Sequence, residues 1–368
     1  MRQVTQNPSI EKETHMLTRR EPKLVVLFFS ILIFPSSVSF TDTKTHPKEH
    51  RSIVENANFL ILRLDDRLDT IVGEKAEVSK IAEGFVFAEG PVWDRRSQRL
   101  LFSDVRDNKI YEIKDNVLNK FLDPVFTGEM PDGMRNVSAN GLTFNANGDL
   151  VIAEHGNRRV SSISIDGKKS VLASKKDGRR FNSPNDLVYD SRGNLYFTDP
   201  PYGLKGYDSS KIKEMPYNGI YKFTNEGDVF LLDSELTRPN GIALSPDENT
   251  MYVANSDKEN KVIMRYTLAG NYITDSEIFF DANHLDSPGV PDGLKVDYFG
   301  NVFATGPGGV LVLSPAGDHL GTIRTGEITA NVAWGQPKGD HRCSSNTLIM
   351  TASTSVYRCE LLTRGCVP

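Results

Sequence analysis

The chain has 368 residues, of which 38% are hydrophobic and 25% are charged, and its formal net charge is −5. This is the composition of a globular protein with enough apolar residues for a sizeable core. Because the net charge is negative and the lysines and arginines are scattered, nothing in the sequence favours nucleic-acid binding.

The first forty residues carry the pattern of a secretory signal. An apolar run of eleven residues, 24–34, follows three basic residues and precedes a small-x-small site at 37–39. The run is too short to span a bilayer, so no stable membrane insertion is expected after cleavage. We predict a signal peptide over 1–40 and export to the periplasm or the extracellular space. Residues 1–15 are polar, which favours Met16 as the true start; an uncleaved N-terminal anchor is the alternative.

A charged leader follows over residues 41–75. Its apolar residues between 51 and 72 recur at loosely helical spacing, which predicts a short helix packed on the domain surface, with 65–71 as its last turns. Residues 76–82 then have the character of a strand.

From residue 87 onward the sequence repeats, with a period of about 40 to 55 residues. Each unit opens with a polar residue, called its head residue here, followed by an apolar strand, a second strand about ten residues later and a third after that. Glycines two residues past several third strands suit hairpin turns. The six head residues are Glu89, Asn140, Asn185, Asn240, Asp292 and Asn331.

Four-stranded antiparallel units at this period predict an all-β fold, a six-bladed β-propeller over residues 76–368. The last unit has only three strands after its head residue. The strand at 76–82 can supply the fourth, so that both ends of the domain close one blade.

In a propeller the first strand of each blade lines the central axis, so the head residues should form one ring around a channel mouth. Glu89 and Asp292 are carboxylates, and no lysine or arginine occupies an equivalent position. Buried carboxylates need a partner, and oxygen ligands select a hard cation such as calcium. Strand-start turns or hydrogen bonds between blades are the alternative reading. The second strands should end just outside the ring, at Asp104, Glu154, His155, Asp199 and Asn255.

The cysteine and glycosylation patterns carry little information about function. Of Cys343, Cys359 and Cys366, one pair could form a disulfide in an exported protein, which leaves one thiol over. The absence of a paired CxxC argues against zinc at these cysteines. The sequence Asn136-Val137-Ser138 is a glycosylation sequon, relevant only in a eukaryotic secretory pathway.

Several motifs resemble those of the gluconolactonase/senescence-marker-protein (regucalcin) family, and most closely its exported bacterial-type lactonases. They are AEGPVWD, ANGLTF, EHGNRRV, NSPNDLVYDSRGNLYFTDPPYG, RPNGIALSPD and PDGLKVD. The resemblance implies one catalytic divalent ion, usually Ca²⁺, although Zn²⁺, Mg²⁺ or Mn²⁺ could replace it. It assigns metal binding to Glu89, Asn185, Asn240 and Asp292. Where the regucalcin branch has an arginine this chain has Ser183, which leaves Arg158, Arg159 or Arg180 as replacements.

The expected reaction is the hydrolysis of a sugar lactone, with Asp292 as general base or as nucleophile. Asn140, His155 and Asp199 are expected to contact the substrate, although a lone histidine is often only a hydrogen-bonded structural residue. The loops 126–136 and 203–218 should set substrate preference. A phosphotriester or fluorophosphate hydrolase on the same site is one alternative, and a non-enzymatic binding propeller is another. The sequence does not indicate which lactone is hydrolysed or what the oligomeric state is.

Overall fold

The computed structural model describes residues 52–53, 60–337 and 341–368. Within these residues six antiparallel sheets, each of four or five strands, follow one another along the chain, with one two-stranded hairpin besides. The six sheets are the blades of the propeller, so the fold predicted from the repeat is confirmed.

Three strands precede the first blade, β1 (Ser52–Ile53), β2 (Ile61–Arg63) and β3 (Val78–Glu83). The first half of the propeller follows. Blade 1 contains β4 (Ala88–Asp94), β5 (Arg99–Asp104), β6 (Lys109–Lys114) and β7 (Val117–Leu122). Blade 2 contains β8 (Ala139–Phe144), β9 (Leu150–Glu154), β10 (Arg159–Ile163) and β11 (Lys169–Ala173), and the hairpin β12 (Lys175–Lys176) and β13 (Arg179–Arg180) follows it. Blade 3 contains β14 (Leu187–Tyr189), β15 (Leu195–Asp199), β16 (Gly219–Phe223) and β17 (Val229–Asp233).

The second half has the same plan. Blade 4 contains β18 (Pro239–Leu244), β19 (Thr250–Asp257), β20 (Asn260–Ala269) and β21 (Tyr272–Asp281). Blade 5 contains β22 (Leu294–Val296), β23 (Val302–Gly306), β24 (Gly309–Leu313) and β25 (His319–Ile323). Blade 6 contains β26 (Thr329–Gly335), β27 (Ser345–Ala352) and β28 (Ser355–Gly365).

The strand before blade 1 closes blade 6, as predicted. β3 pairs antiparallel with β28, with Ala82 opposite Val356, and β1 pairs with the outer side of β3. The last blade therefore joins strands from both ends of the domain, which leaves no open gap in the ring of blades.

The predicted helical leader is not confirmed. Residues 61–63, expected to be helical, instead form β2, which pairs with the outer edge of β25. The unpaired backbone groups of that edge explain why a short apolar segment extends there. A 3₁₀ helix, Asp66–Thr70, follows, capped by the Asp65 side chain and anchored by the buried Leu68, and a second, Tyr207–Ser209, lies after β15. Residues 41–51 and 54–59 of the leader, and the predicted signal peptide over 1–40, lie outside the described residues.

None of the described helices is long or apolar enough to cross a membrane.

The core repeats between blades, and its aromatic clusters support the segments that lead to the channel. Phe85 packs edge-on against Phe102, with ring centroids 4.9 Å apart, four residues before the head residue of blade 1. Phe181 packs in the same way against Phe197, at 5.2 Å, four residues before Asn185. The equivalent placement indicates that each pair fixes the backbone on which a head residue is carried.

The three cysteines form one disulfide, between Cys343 and Cys366, and leave Cys359 as a buried free thiol. One pair and one remaining thiol are what the cysteine count predicted, and the structure identifies the partners.

Candidate metal centre and active site

The head residues lie where the first strands depart from regular pairing. In blade 1 the register of β4 against β5 shifts between Glu89 and Val92, and β8, β18 and β26 show the same irregularity. In blades 3 and 5 the head residues precede the first strand altogether. A residue released from the ladder is free to direct its side chain toward the axis.

Glycine follows most head residues because neighbouring blades approach too closely for a side chain. A Cβ on Gly90, whose φ is +52°, would lie 2.1 Å from the carbonyl oxygen of Asn140. A Cβ on Gly241 would lie 2.1 Å from the carbonyl oxygen of Asp292. The recurring glycine is thus a requirement of the channel wall, since only glycine allows this approach.

The polar residues that end several second strands hold the backbone ahead of the head residues. Asp199 is fully buried, and its two carboxylate oxygens accept the backbone N–H groups of Asn182 and Ser183, at 2.7 and 2.8 Å. Asp104 accepts the N–H groups of Val86 and Phe87 in the same way. The structure therefore does not bring Asp199 to the channel as a substrate contact. It fixes the turn that carries Asn185.

The head side chains contact one another around the axis. Asn140 donates from Nδ2 to Oδ1 of Asn185 at 2.6 Å, and Asn185 donates to Oδ1 of Asn240. On the other side of the ring, Asn331 donates to Oε2 of Glu89 at 3.0 Å. The sequence prediction of one converging ring is therefore matched by direct hydrogen bonds between blades.

Buried negative charge dominates the electrostatics of this ring. Burial and the nearby Asp186 carboxylate raise the pKa of Glu89 to about 7. Burial, with the charges of Glu89 and Asp186, raises the pKa of Asp292 well above its ordinary range. The nearest lysine contact is Lys295, whose Nζ lies 3.9 Å from Oδ2 of Asp186. Three carboxylates facing one lysine make a site that favours an added cation.

Two oxygen atoms of the ring are buried without a hydrogen-bond partner among the described residues, Oδ1 of Asp292 and Oδ1 of Asn140. Such atoms are rare in folded proteins, and these two oxygens are available to a bound ion, water or substrate. The described residues contain no group of three or more His, Cys, Asp or Glu side chains arranged to hold a metal. An ion here would therefore depend on amide oxygens as well as on Glu89 and Asp292. That mixed oxygen set fits calcium better than a transition metal.

His155 is buried beside the ring, and both of its ring nitrogens lack a hydrogen-bond partner within the described residues. Burial lowers the pKa of His155 to about 4; the nearby Asn185 side chain acts in the opposite direction, and the positive charge of Arg135 acts in the same direction as burial. The imidazole is therefore neutral at pH 7, with one donor and one acceptor nitrogen available.

The arginines considered as replacements for a sugar contact are engaged elsewhere. Arg158 donates to the carbonyl oxygens of Phe181 and Ile212, at 2.6 and 2.9 Å. Arg159 pairs with Glu154, and Arg180 donates to the carbonyl oxygen of Asn157. The structure brings none of the three to the channel.

The two loops expected to set substrate preference pack on each other beside His155. Met134 and Leu204 form an isolated β-bridge, and Lys205 donates its N–H to the carbonyl oxygen of Gly133 at 2.8 Å. At their contact, Tyr207 stacks beneath the guanidinium of Arg135, 5.1 Å from the ring centroid. These loops form one wall of the channel mouth.

Sequence reasoning missed Tyr202. Its partly exposed side chain lies close enough to Asp292, Ser256 and Asn240 for all three to affect its ionisation. Burial and the Asp292 charge raise the pKa of Tyr202. Tyr202 stands in a Pro-Pro-Tyr-Gly segment after Asp199, outside the repeated strands, so the repeat pattern does not single it out.

Comparisons with known proteins agree with the resemblance that the motifs show. The family described as "SMP-30/Gluconolactonase/LRE-like region" matches residues 87–354. The chain belongs to this family. A gluconolactonase of Zymomonas mobilis subsp. mobilis is 34% identical over 363 residues, covering 95% of this chain and all of that protein.

Two solved structures of this fold are also similar. A gluconolactonase from Xanthomonas campestris superposes with a TM-score of 0.72 at 24% identity, covering 86% of this chain and 99% of that one. Regucalcin from Agrobacterium tumefaciens, described as a calcium-binding protein, has a TM-score of 0.61 at 18% identity, covering 77% and 92%. At these identities the two structures support the propeller fold.

Proposed function

We propose that this family member is a lactonase that hydrolyses a sugar lactone at the ring of head residues. The observation that carries the proposal is the buried, unpartnered Oδ1 of Asp292, set beside Glu89 in a ring of amide side chains. The gluconolactonase that matches the chain along its full length supports the substrate class.

Glu89, Asn185, Asn240 and Asp292 would hold the metal. A bound divalent ion, for which the oxygen ligands favour calcium, would polarise the lactone carbonyl and stabilise the charge that develops on its oxygen. Oδ1 of Asn185 accepts from Asn140, and Oδ1 of Asn240 accepts from Asn185, so these amides must reorient to serve as ligands. Asp199 restricts that movement to the side chain because it fixes the backbone before Asn185.

Asp292 is assigned the chemical step. Its carboxylate either accepts a proton from the attacking water or attacks the carbonyl carbon itself, forming an acyl-enzyme that water then hydrolyses. A neighbouring cation lowers the pKa of a carboxyl group, which weakens the base and makes the ionised nucleophile available. Label on Asp292 after a single turnover in ¹⁸O-labelled water would establish the acyl-enzyme, since the general-base route leaves the carboxylate unlabelled.

His155 and Asn140 are assigned to substrate orientation. The neutral imidazole and the unpartnered Oδ1 of Asn140 can each bond a sugar hydroxyl, which serves as both donor and acceptor. Both side chains lie in the ring or against it, so a bound lactone would satisfy groups that are otherwise buried without partners.

The experiment that tests this function is acid release from gluconolactone in a pH-stat, before and after chelation. The proposal predicts release that stops with the chelator and returns with calcium. Turnover of diisopropyl fluorophosphate but not of the lactone would favour the phosphorus-ester alternative. Turnover of neither, with a melting temperature that chelation does not change, would favour a binding propeller.

We also propose that the protein is exported. The signal pattern over 1–40 and the Cys343–Cys366 disulfide support this, because disulfides persist in oxidising compartments. N-terminal sequencing of protein from the periplasm or medium should show that residues 1–40 are gone. Full-length protein confined to the cytoplasm would contradict export.

A further inference from the structure

We propose that Lys295 selects a doubly charged ion for the ring of head residues, because its ammonium group pairs with the Asp186 carboxylate directly beneath that ring. Lys295 acts by balancing charge and does not touch the ion. This inference rests on the proposed metal centre. It accounts for a preference of the site for calcium over a trivalent ion of similar size, although three carboxylates are buried there.

Asp186 interrupts the repeat at the position that follows the head residue. In four of the six blades this position is glycine, and in blade 6 it is valine, so Asp186 is the one charged residue among the six. The four glycines are Gly90, Gly141, Gly241 and Gly293. Because the first strands run from the ring into the channel, this position lies one step deeper than the head residues.

Contacts with three other blades place the Asp186 carboxylate on the channel axis. Its Oδ2 accepts the N–H of Ile242 in blade 4 at 3.3 Å. In blade 2, a Cβ on Gly141 would lie 2.8 Å from its Oδ1. In blade 5, the Nζ of Lys295 lies 3.9 Å from Oδ2. These partners follow the head residues of their blades by two, one and three positions. The buried carboxylate therefore lies in the layer next to the ring.

Lys295 approaches this carboxylate from the other end of the channel. Its side chain lines the cavity of about 360 Å³ at that end, and its Nζ donates to the carbonyl oxygen of Leu294 at 3.0 Å. Among the described residues, Asp186 is the one carboxylate within ion-pair distance of Lys295. The order along the channel is therefore ring, Asp186 and Lys295, and the carboxylate separates the ammonium group from the ring.

Both members of the pair act on the ring. After burial, the Asp186 charge is one of the causes that raise the pKa of Glu89 and of Asp292. The Lys295 charge acts on Glu89 in the opposite direction. The pair is therefore electrostatically coupled to the two carboxylates proposed to hold the ion.

The charge of the site then matches a divalent ion. A bound cation keeps Glu89 and Asp292 ionised, so with Asp186 the site carries three negative charges. Lys295 leaves a total of −2. Without the lysine the total would be −3, which a trivalent ion neutralises. Because uncompensated charge is costly in a buried site, this difference changes the relative affinity for ions of different charge.

The test measures the affinities for Ca²⁺ and Tb³⁺ by calorimetry in chelator-treated protein. In Lys295→Met the ratio of Tb³⁺ to Ca²⁺ affinity should rise about tenfold, because the energy between charges scales with the product of those charges. Lys295→Arg keeps the charge and should keep the wild-type ratio. The matched control is Lys261→Met, which removes a half-buried lysine of a third strand that donates to the carbonyl oxygen of Leu285 at 3.2 Å. It should leave the ratio unchanged.

The partner variant must shift the ratio the other way. Asp186→Asn removes one negative charge, so the ratio should fall about tenfold, and this result decides if Lys295→Met does not fold. Combining Asp186→Asn with Lys295→Met removes both charges of the pair and should restore the wild-type ratio.

The two levels of the proposal fail differently. An unchanged ratio in Lys295→Met, or an equal fall of both affinities as expected from a merely structural role, would overturn the role of Lys295. The proposed metal centre would survive if the wild type still binds calcium. A wild-type protein that binds neither ion would defeat the metal centre itself, and the role of Lys295 with it.

Discussion

The Nδ2 group of Asn331 donates a 3.0 Å hydrogen bond to Oε2 of Glu89, although the two residues lie 242 positions apart in the chain. The bond joins the last blade to the first at the channel mouth, where both side chains are buried. It therefore serves the closure of the propeller and the placement of a proposed metal ligand at once.

Asn331→Leu should lower the free energy of unfolding by about 1–3 kcal/mol, because a buried carboxylate oxygen loses a donor. Urea denaturation measures the loss. The matched control is Asn119→Leu, which removes an amide bonded to Glu112 on the exposed edge of blade 1. The control should change stability by less than about 0.5 kcal/mol. Equal effects of the two substitutions would contradict the importance of the buried bond.

The raised pKa of Glu89 predicts how the metal-free protein responds to pH. The pKa of Glu89 is about 7 in the folded state, whereas the unfolded state releases this proton near the ordinary glutamate pKa of 4.5. The unfolded state therefore binds fewer protons in this window, so this group makes stability fall as pH rises from about 4.5 to 7. Calcium should remove the fall, because it compensates the ionised carboxylate.

Melting temperatures in chelator across this pH range are compared for wild type and Glu89→Gln. Because the Glu89 charge also raises the pKa of Asp292, the difference between the two proteins reports Glu89 together with its effect on Asp292. The lowered pKa of His155 acts in the opposite direction below pH 6.5, but it is present in both proteins. The difference between the two curves should therefore grow with pH, to the disadvantage of the wild type. Parallel curves would show that Glu89 does not retain its proton in the folded state.

His155→Gln should weaken substrate binding without changing the pH dependence of the rate. Loss of one substrate hydrogen bond corresponds to about a tenfold effect, which we expect in KM. Because the pKa of His155 is about 4, the imidazole does not titrate between pH 5 and 8. His284→Gln, on an exposed loop, is the control. A limb of the kcat/KM profile between pH 5 and 8 that disappears in His155→Gln would refute the neutral role.

The disulfide should stabilise the fold without affecting catalysis. Cys366 and the ends of several first strands, such as Asp94 and Asp190, line a cavity of about 360 Å³. That cavity lies at the opposite end of the channel from the head residues. Replacing Cys343 and Cys366 by serine should cost about 2–4 kcal/mol of stability. Turnover per folded molecule should stay within twofold, and a reductant should lower the melting temperature of the wild type only.

The sequence predicts much of the fold because a propeller repeats its signals. The strand at 76–82 and the ring of head residues follow from the period alone, and hydrogen bonds such as that between Asn140 and Asn185 match the ring. The sequence could not distinguish side chains that face the channel from side chains that only hold the backbone in place. Asp199 ends its strand as a site residue would, yet its oxygens are spent on backbone N–H groups. Polar residues recur at the starts of the first strands and at the ends of the second strands with the same period. That period does not show which way each side chain faces.

Two further differences between the predictions from sequence and the structure have the same physical origin. Both arise from contacts between segments that are distant in sequence. The apolar spacing of the leader suits a helix, but the free edge of β25 draws residues 61–63 into a strand. Tyr202 belongs to no repeat, so the pattern that revealed the head residues is silent about it. Its place depends on how the loop folds back over His155, which a local sequence pattern does not encode.

Calorimetric titration of calcium into chelator-treated protein, with lactone turnover followed in the same samples, tests the central claim most directly. We predict one ion per chain and turnover that returns in proportion to occupancy. Asp292→Asn should reduce both affinity and rate, the rate by at least about 1,000-fold. Asp286→Asn, an exposed carboxylate in the preceding loop, should behave as the wild type. Full lactone turnover by metal-free protein, or by Asp292→Asn, would contradict the account.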